Sequence, residues 1–208
     1  MQFAKAPVPG AVKTRMLPEL NARQACALHR QLVRHTLAQL LDSRIAPVQL
    51  HCDQANHAGV QAWQQDFDLE RVYTQVSGNL GEKMQQAFAQ LLARQDVDQV
   101  LLVGSDCPFI DCAYLEQAVQ ALQRGSDVVL GPAADGGYVL IGMCEPHAGV
   151  FAGIDWGTSS VLEQTLTQVQ QQGLTVALLP ELHDIDRPQD LARLGQLQPY
   201  SGANDWLL

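Results

Sequence analysis

Cationic residues are scarce in this sequence. Thirteen Lys and Arg stand against 22 Asp and Glu, for a formal net charge of -9. A binder of nucleic acid or of an anionic membrane surface wants a basic face, so this balance argues against sequence-blind association with either. No apolar run approaches the roughly 20 residues that span a bilayer, and the amino terminus lacks the apolar core of a signal peptide. The five cysteines (Cys26, Cys52, Cys107, Cys112, Cys144) are odd in number and scattered, with no C-x-x-C pair. They read as reduced thiols of a cytoplasmic protein, not as a disulfide frame or a zinc site. Also missing are an internal repeat, a long linker, and any Ser/His/Asp or Cys/His arrangement that order alone could argue for.

What is present is a folded-protein composition: 47% apolar and 17% charged residues over 208 positions, enough for one domain with a substantial core. Residues 1–196 are expected to form that domain, with 197–208 as a tail. Asn21 reads as a cap for a helix whose Ala25, Leu28, Leu32, Val33, Thr36, Leu37, Leu40 and Leu41 recur on one face. A short strand at VQLHC, a helix over Val60–Phe67 and a strand at RVYTQV follow. GNLGEKMQQAFAQLLAR then reads as a glycine turn opening an amphipathic helix. QVLLV has no alternation and suits a central strand buried on both faces. Beyond it come a helix with Leu115, Val119 and Leu122, strands at DVVLGPA and GYVLIGM, a helix over Thr158–Gln172, a strand at LTVALL and a short helix over Pro188–Leu197. Strands alternating with helices predict an α/β fold, a mostly parallel, doubly wound sheet with helices on both faces. Ligands in such sheets sit beyond the carboxyl ends of strands.

Four stretches carry chemistry. In FAKAPVPGAVKTR, Pro7, Pro9 and Gly10 hold a non-helical loop, and Lys13 and Arg15 offer a point charge and a planar fork suited to phosphate oxygens. The Walker A pattern is absent, and a solvated turn with surface cations is the competing reading. In GSDCP, Asp106 follows the buried strand, where an unpaired carboxylate is costly. It either holds Mg²⁺ or Mn²⁺ or caps the next helix, a task for which Asp111 is better placed. Asp135-Gly136-Gly137 reads as a hairpin turn or as a substrate-facing loop in which Asp135 meets hydroxyls or acts as a base. In DIDRPQDL, Asp184 and Asp186 alternate and so share one side of an extended segment. A second carboxylate for a metal held first by Asp106 explains them better than capping does. Pro188 and Asp190 suit the start of the following helix. Trp156 and Thr158 are either a lid over the substrate or a packed ring followed by a helix cap, supplied by Thr158 or Ser159. Cys107 reads as a small buried thiol.

FAKAPVPGAVKTR, GNLGEKM, GSDCP, GPAADGGYVLIG, IDWGTSSV and DIDRPQDL, in this order from about Phe3 to Leu191, resemble small bacterial glycosyltransferase-A-like proteins associated with radical-SAM and selenium-domain proteins. These belong to the nucleotide-diphospho-sugar transferase superfamily. The resemblance implies a single-domain, Rossmann-like fold and a Mg²⁺- or Mn²⁺-dependent transferase. It places Lys5, Pro7, Gly10, Lys13, Arg15, Gly78, Leu80 and Gly81 at the nucleotide, with Met84 in the same turn, and puts the metal on Asp106 and Asp186. Asp135, Gly136, Gly137 and Tyr138 fall at a small acceptor. Arg187 replaces the usual threonine of the last motif. Catalysis is assigned to Lys13, Arg15, Asp106 and Asp135. Sugar transfer from a nucleotide-diphosphate donor is the first reading. A guanylyltransferase-like nucleotidyl transfer releasing pyrophosphate is the alternative, and a non-catalytic nucleotide-binding module is the third. The tail residues Trp206, Leu207 and Leu208 suit docking on the domain or on a second copy in a homodimer.

Overall fold

Asn21 opens the longest helix by a reciprocal device. In the computed structural model, which describes residues 1–195, its side chain accepts from the Arg23 and Gln24 N–H groups while Gln24 reaches back to the Asn21 N–H. Free backbone donors at a helix start are thereby satisfied. The helix, α1 (Ala22–Ser43), buries Leu28, Leu32, Val33 and Leu37 on one stripe. Asn79 and Glu82 repeat the device for α3 (Leu80–Leu92), and Asp111 caps α4 (Cys112–Gln123) through the Tyr114 N–H at 2.8 Å. Asp106 is thus released from capping.

Seven strands form one sheet: β1 (Gln2–Ala4), β2 (Leu50–Cys52), β3 (Val72–Thr74), β4 (Val100–Val103), β5 (Val128–Pro132), β6 (Tyr138–Met143) and β7 (Val176–Leu178). Their order is β3-β2-β1-β4-β6-β5-β7. All pairings are parallel except those of β6, which runs antiparallel between β4 and β5. The Asp135-Gly136-Gly137 stretch supplies the tight turn that makes β5 and β6 a hairpin. At its mouth Gly131 pairs with Leu140 but Pro132 with Tyr138, so Val139 is an extra residue and the strand is re-aimed.

Strand alternation separates two cores. Ala4, Leu50, Cys52, Val103 and Val129 face α1, α4 and α2 (Ala58–Asp66). Phe3, Leu102, Leu130, Ile141 and Met143 face Met84 and Phe88 of α3 and Val169 of α5 (Val161–Gln171). Helices therefore cover both faces. A fully buried side chain such as Phe88 stabilises the fold by about 1.5–3 kcal/mol through its transfer from water.

Two expected elements differ. Neither Thr158 nor Ser159 caps α5: Ser160 holds the cap position without a side-chain bond, and the Leu162 N–H is met instead by the Gly136 carbonyl at 2.9 Å. The last helix divides into a 3-10 turn, Pro188–Asp190, and α6 (Leu191–Leu194). Asp190 secures this turn by accepting from the Asp186 and Arg187 N–H groups, a bond that uses only the backbone of residue 187 and so tolerates arginine there. Leu197, the proposed boundary after 196 and the tail contacts of Trp206, Leu207 and Leu208 lie outside the described residues. No described helix is long and apolar enough to cross a membrane.

Candidate functional site

Chain order reverses between β1, which leads outward to β2, and β4 on its other side. The loops leaving these strands must part there, which opens a crevice at their carboxyl ends. Ser105 ties the two together beneath it: its hydroxyl donates to the Phe3 carbonyl at 2.7 Å and accepts from Gln2 Nε2 at 2.8 Å. Above lies a cavity of about 520 Å³ lined by Lys5, Lys13, Arg15, Leu80, Lys83 and Asp106 among others.

Lys13 holds a left-handed backbone conformation (φ 50°, ψ 38°), uncommon for a residue with a Cβ. That turn sends its side chain inward, where it is only 2% exposed. Its ammonium lies 2.8 Å from Asp106 Oδ1 and 3.9 Å from Asp186 Oδ1, and donates to the Ile185 carbonyl at 2.6 Å. Arg15 Nη1 donates to Asp186 Oδ2 at 2.8 Å. The cationic loop and both proposed metal carboxylates therefore meet at one point.

Residue 185 explains how Asp186 arrives there. Its N–H donates to the Asp106 carbonyl at 2.8 Å, and its side chain is fully buried with Met16, Leu28 and Leu32. With Ile185 turned to the core, Asp186 turns to the crevice and lines it, while Asp184 is not among the lining residues. Desolvation would raise the Asp106 carboxyl, but the charge and hydrogen bond of Lys13 outweigh it and hold the group below the usual carboxylate range. For Asp184 the balance falls the other way: burial, then the charges of Asp106 and Asp135, outweigh the pull of Lys13 and push its carboxyl up to about 7.

Lys13 and Arg15 formally balance Asp106 and Asp186, so a divalent cation would enter this site together with phosphate oxygens of opposite charge. Among the described residues no three His, Cys, Asp or Glu side chains are gathered as a ready metal cage. Mg²⁺ and Mn²⁺ do not need one, since they take one or two carboxylates and complete their shell with water and phosphate oxygens. Asp106 and Asp186, both within reach of one cation and 45% and 28% exposed at their side chains, fit that requirement.

Asp135, like the other acceptor-side candidates Gly136, Gly137, Tyr138, Trp156 and Thr158, is not among the residues lining this cavity; it is exposed and its Oδ1 accepts from the Gly137 N–H at 3.0 Å. Gly136 has φ +90°, and a Cβ there would lie 2.0 Å from the Ser159 carbonyl oxygen, so the hairpin seats directly on the segment before α5. The bulge turns Tyr138 away from this loop and into the core, where its ring meets Trp156 edge-on at 6.4 Å. Trp156 in turn covers Gly81, where a Cβ would come within 2.8 Å of the indole. Of the two readings of Trp156, packing is the observed one. Thr158 Oγ1 donates to the Asp155 carbonyl at 2.8 Å and holds the loop's shape.

The remaining nucleotide candidates divide. Leu80 lines the cavity and is 44% exposed. Pro7 packs on Gly59 of α2 instead, and Gly10 and Gly78 (φ +83° and +123°) serve turns outside the lining, while Met84 is core. Sequence reasoning missed His29, Asp53, Gln75 and Lys83, all of which line the cavity. The positions of Asp53 and Gln75 just past β2 and β3 were an available signal. His29, whose Nε2 contacts the Lys5 carbonyl at 2.9 Å, gave none beyond its place on the buried stripe of α1.

The family model described as "Uncharacterized protein conserved in bacteria (DUF2064)" matches residues 36–158, more than half of the chain. No curated protein matches the sequence. Among solved structures, a protein from Desulfovibrio desulfuricans G20, provisionally named a nucleotide-diphospho-sugar transferase, is similar at 29% identity and TM-score 0.83, covering 99% of this chain and 94% of that one. Two more distant structures share the fold. One is a cytidylyltransferase from Leptospira borgpetersenii (12% identity, TM-score 0.58, 99% and 90% coverage). The other is glucosyl-3-phosphoglycerate synthase from Mycobacterium tuberculosis in complex with Mn²⁺, UDP and glucosyl-3-phosphoglycerate (12%, 0.54, 93% and 74%).

Proposed function

The chain belongs to the bacterial family DUF2064, and we propose that it is a metal-dependent transferase using an activated nucleotide, passing a sugar from a nucleotide-diphosphate donor to a small acceptor. One observation carries this reading: the buried ammonium of Lys13 and the guanidinium of Arg15 meet Asp106 and Asp186 in a single cavity at the sheet's switch point. The solved relatives support it, one by its provisional name and another by binding Mn²⁺ and UDP.

The donor's diphosphate lies over the loop after β1. Lys13 and Arg15 stabilise the charge that grows on it as the sugar leaves, and they do so from positions already fixed before reaction. Asp106 and Asp186 would hold a divalent cation, which when bound would supply Lewis-acid stabilisation to the same leaving group. Asp135 keeps Oδ1 on the Gly137 N–H and offers Oδ2 to an acceptor hydroxyl, orienting it and drawing on its proton. The hairpin's rigid seat on the α5 segment fixes that carboxylate relative to the sheet.

A second reading, nucleotidyl transfer with release of pyrophosphate, draws on the 2.8 Å contact of Lys13 with Asp106. Ammonium and metal carboxylate so close would attend one phosphate rather than the two ends of a diphosphate. Product analysis with Mn²⁺ separates the cases. Nucleoside diphosphate released from a sugar nucleotide supports glycosyl transfer, and pyrophosphate from a nucleoside triphosphate supports the second. Binding without turnover of either donor class, unchanged in Asp106→Asn, would leave a non-catalytic nucleotide module.

A further inference from the structure

The nucleotide reading above leaves one end of the cavity without a task, and this inference rests on that reading. On the side of β1 away from Asp106, the lining includes Asp53 and Gln75, which follow the adjacent strands β2 and β3. Both are fixed by the backbone around them. Asp53 Oδ1 accepts the Ala6 N–H at 2.7 Å and the Cys52 thiol at 3.4 Å. Gln75 donates its backbone N–H to the Cys52 carbonyl at 2.9 Å. Its Nε2 donates to the carbonyls of Ala4 (3.3 Å) and His51 (3.1 Å).

These partners decide which atoms remain. Two carbonyls can only accept, so the amide of Gln75 must present nitrogen to them and keep its oxygen for something else. Asp53 likewise retains Oδ2. This end of the site offers two hydrogen-bond acceptors, one just past each of two neighbouring strands, whose backbones lie about 4.8 Å apart. In the same cavity, the exposed side chain of Leu80 supplies an apolar surface of the kind a flat ring covers.

A base facing two acceptors must bring two donors. Guanine does so, with N1–H and the exocyclic N2–H₂ adjacent on one edge. Adenine and cytosine set a ring-nitrogen acceptor beside their amino group, and uracil flanks its single N–H with two carbonyls. Each would place acceptor against acceptor, which costs affinity once the bound base shuts water out of these half-buried groups. The remaining guanine oxygen, O6, accepts, and the cavity offers the ammonium groups of Lys5 and Lys83 as donors.

We propose that the cavity selects a guanine nucleotide, with Asp53 and Gln75 accepting from the N1–H and N2–H₂ edge. Calorimetric titration of the full chain in Mn²⁺ with GDP, IDP, UDP and ADP tests it. GDP should bind roughly tenfold or more tighter than IDP, which lacks only the 2-amino group, and than UDP or ADP. Asp53→Asn keeps an oxygen for the Ala6 N–H and adds an amide donor, so it should reverse the preference between GDP and xanthosine diphosphate, whose 2-position is a carbonyl. UDP or ADP binding as tightly as GDP overturns the inference and leaves the nucleotide reading intact. Equal affinities for GDP and IDP likewise remove the assigned contact, and this comparison needs no variant. If none of the four binds, the inference and the nucleotide reading fall together.

Discussion

Gly136→Ala tests how the acceptor-side loop is held. Gly136 sits at φ +90°, where a side chain costs about 1–2 kcal/mol by backbone sterics alone. The new Cβ would stand 2.0 Å from the Ser159 carbonyl oxygen, and backbone on both sides of the contact cannot yield as a flexible side chain would. Relief requires the hairpin to lift, which breaks the bond from the Leu162 N–H to the Gly136 carbonyl and removes about 0.5–1.5 kcal/mol more. The sum is about 1.5–3.5 kcal/mol. Gly153→Ala is the control: its φ is +67°, and its Cβ would enter open space, so it bears the backbone term only, about 1 kcal/mol. Urea unfolding of both variants at equal m-value gives the difference directly. We expect Gly136→Ala to be less stable than the control by about 1 kcal/mol or more. Equal losses would refute the reasoning, because the clash and the lost helix-start bond would then contribute nothing.

Three further outcomes follow from other parts of the molecule. His51, buried on β2 and stacked on Tyr73 at 4.9 Å, has its pKa lowered by burial to about 4 from an unfolded value of 6.5. Its contribution is fully present above pH 6.5 and is lost as pH falls toward 4, at most about 3 kcal/mol; His51→Phe should flatten that loss in urea titrations at pH 7 and pH 4.5. Cys26, Cys52 and Cys107 are buried, and burial pushes the last two thiols up to about 12. Brief alkylation of the native protein at pH 8 should label Cys112 and Cys144 well before these three, as read by mass spectrometry. Lys13→Arg should fail to restore the nucleotide affinity lost in Lys13→Met, because a planar guanidinium cannot meet the Ile185 carbonyl and Asp106 in a space shaped for a single ammonium; calorimetry with a nucleoside diphosphate checks this.

Local signals made much of the architecture legible. The Asn21 and Asn79 caps and the placement of Asp111 follow from rules that operate within one turn of chain. Alternation put Asp184 and Asp186 on one side because the intervening Ile185 is apolar, and the non-alternating QVLLV run marked the centre of the sheet. What could not be read depended on distant neighbours. Asp135-Gly136-Gly137 signals a turn, but nothing in it says that β6 will insert between β4 and β5 and break the parallel run. The start of α5 is completed by a carbonyl some 26 positions earlier in the chain, so capping rules pointed to Thr158 and Ser159 instead. Tyr138 adjoins the turn in sequence, yet the bulge at Val139 directs it into the core. Asp53 and Gln75 could have been sought just past β2 and β3, but His29 is an ordinary polar residue of a helix until the fold brings it to the same cavity.

The account rests on a divalent cation held by Asp106 and Asp186 and shared with a diphosphate that Lys13 and Arg15 contact. The most direct measurement is the calorimetric affinity of a nucleoside diphosphate with Mn²⁺ and with EDTA, for the native protein and for Asp106→Asn. Mn²⁺ should tighten binding to the native protein by roughly tenfold or more and leave the variant unchanged. Affinity indifferent to the metal in the native protein, or a metal effect of the same size in Asp106→Asn, would contradict it.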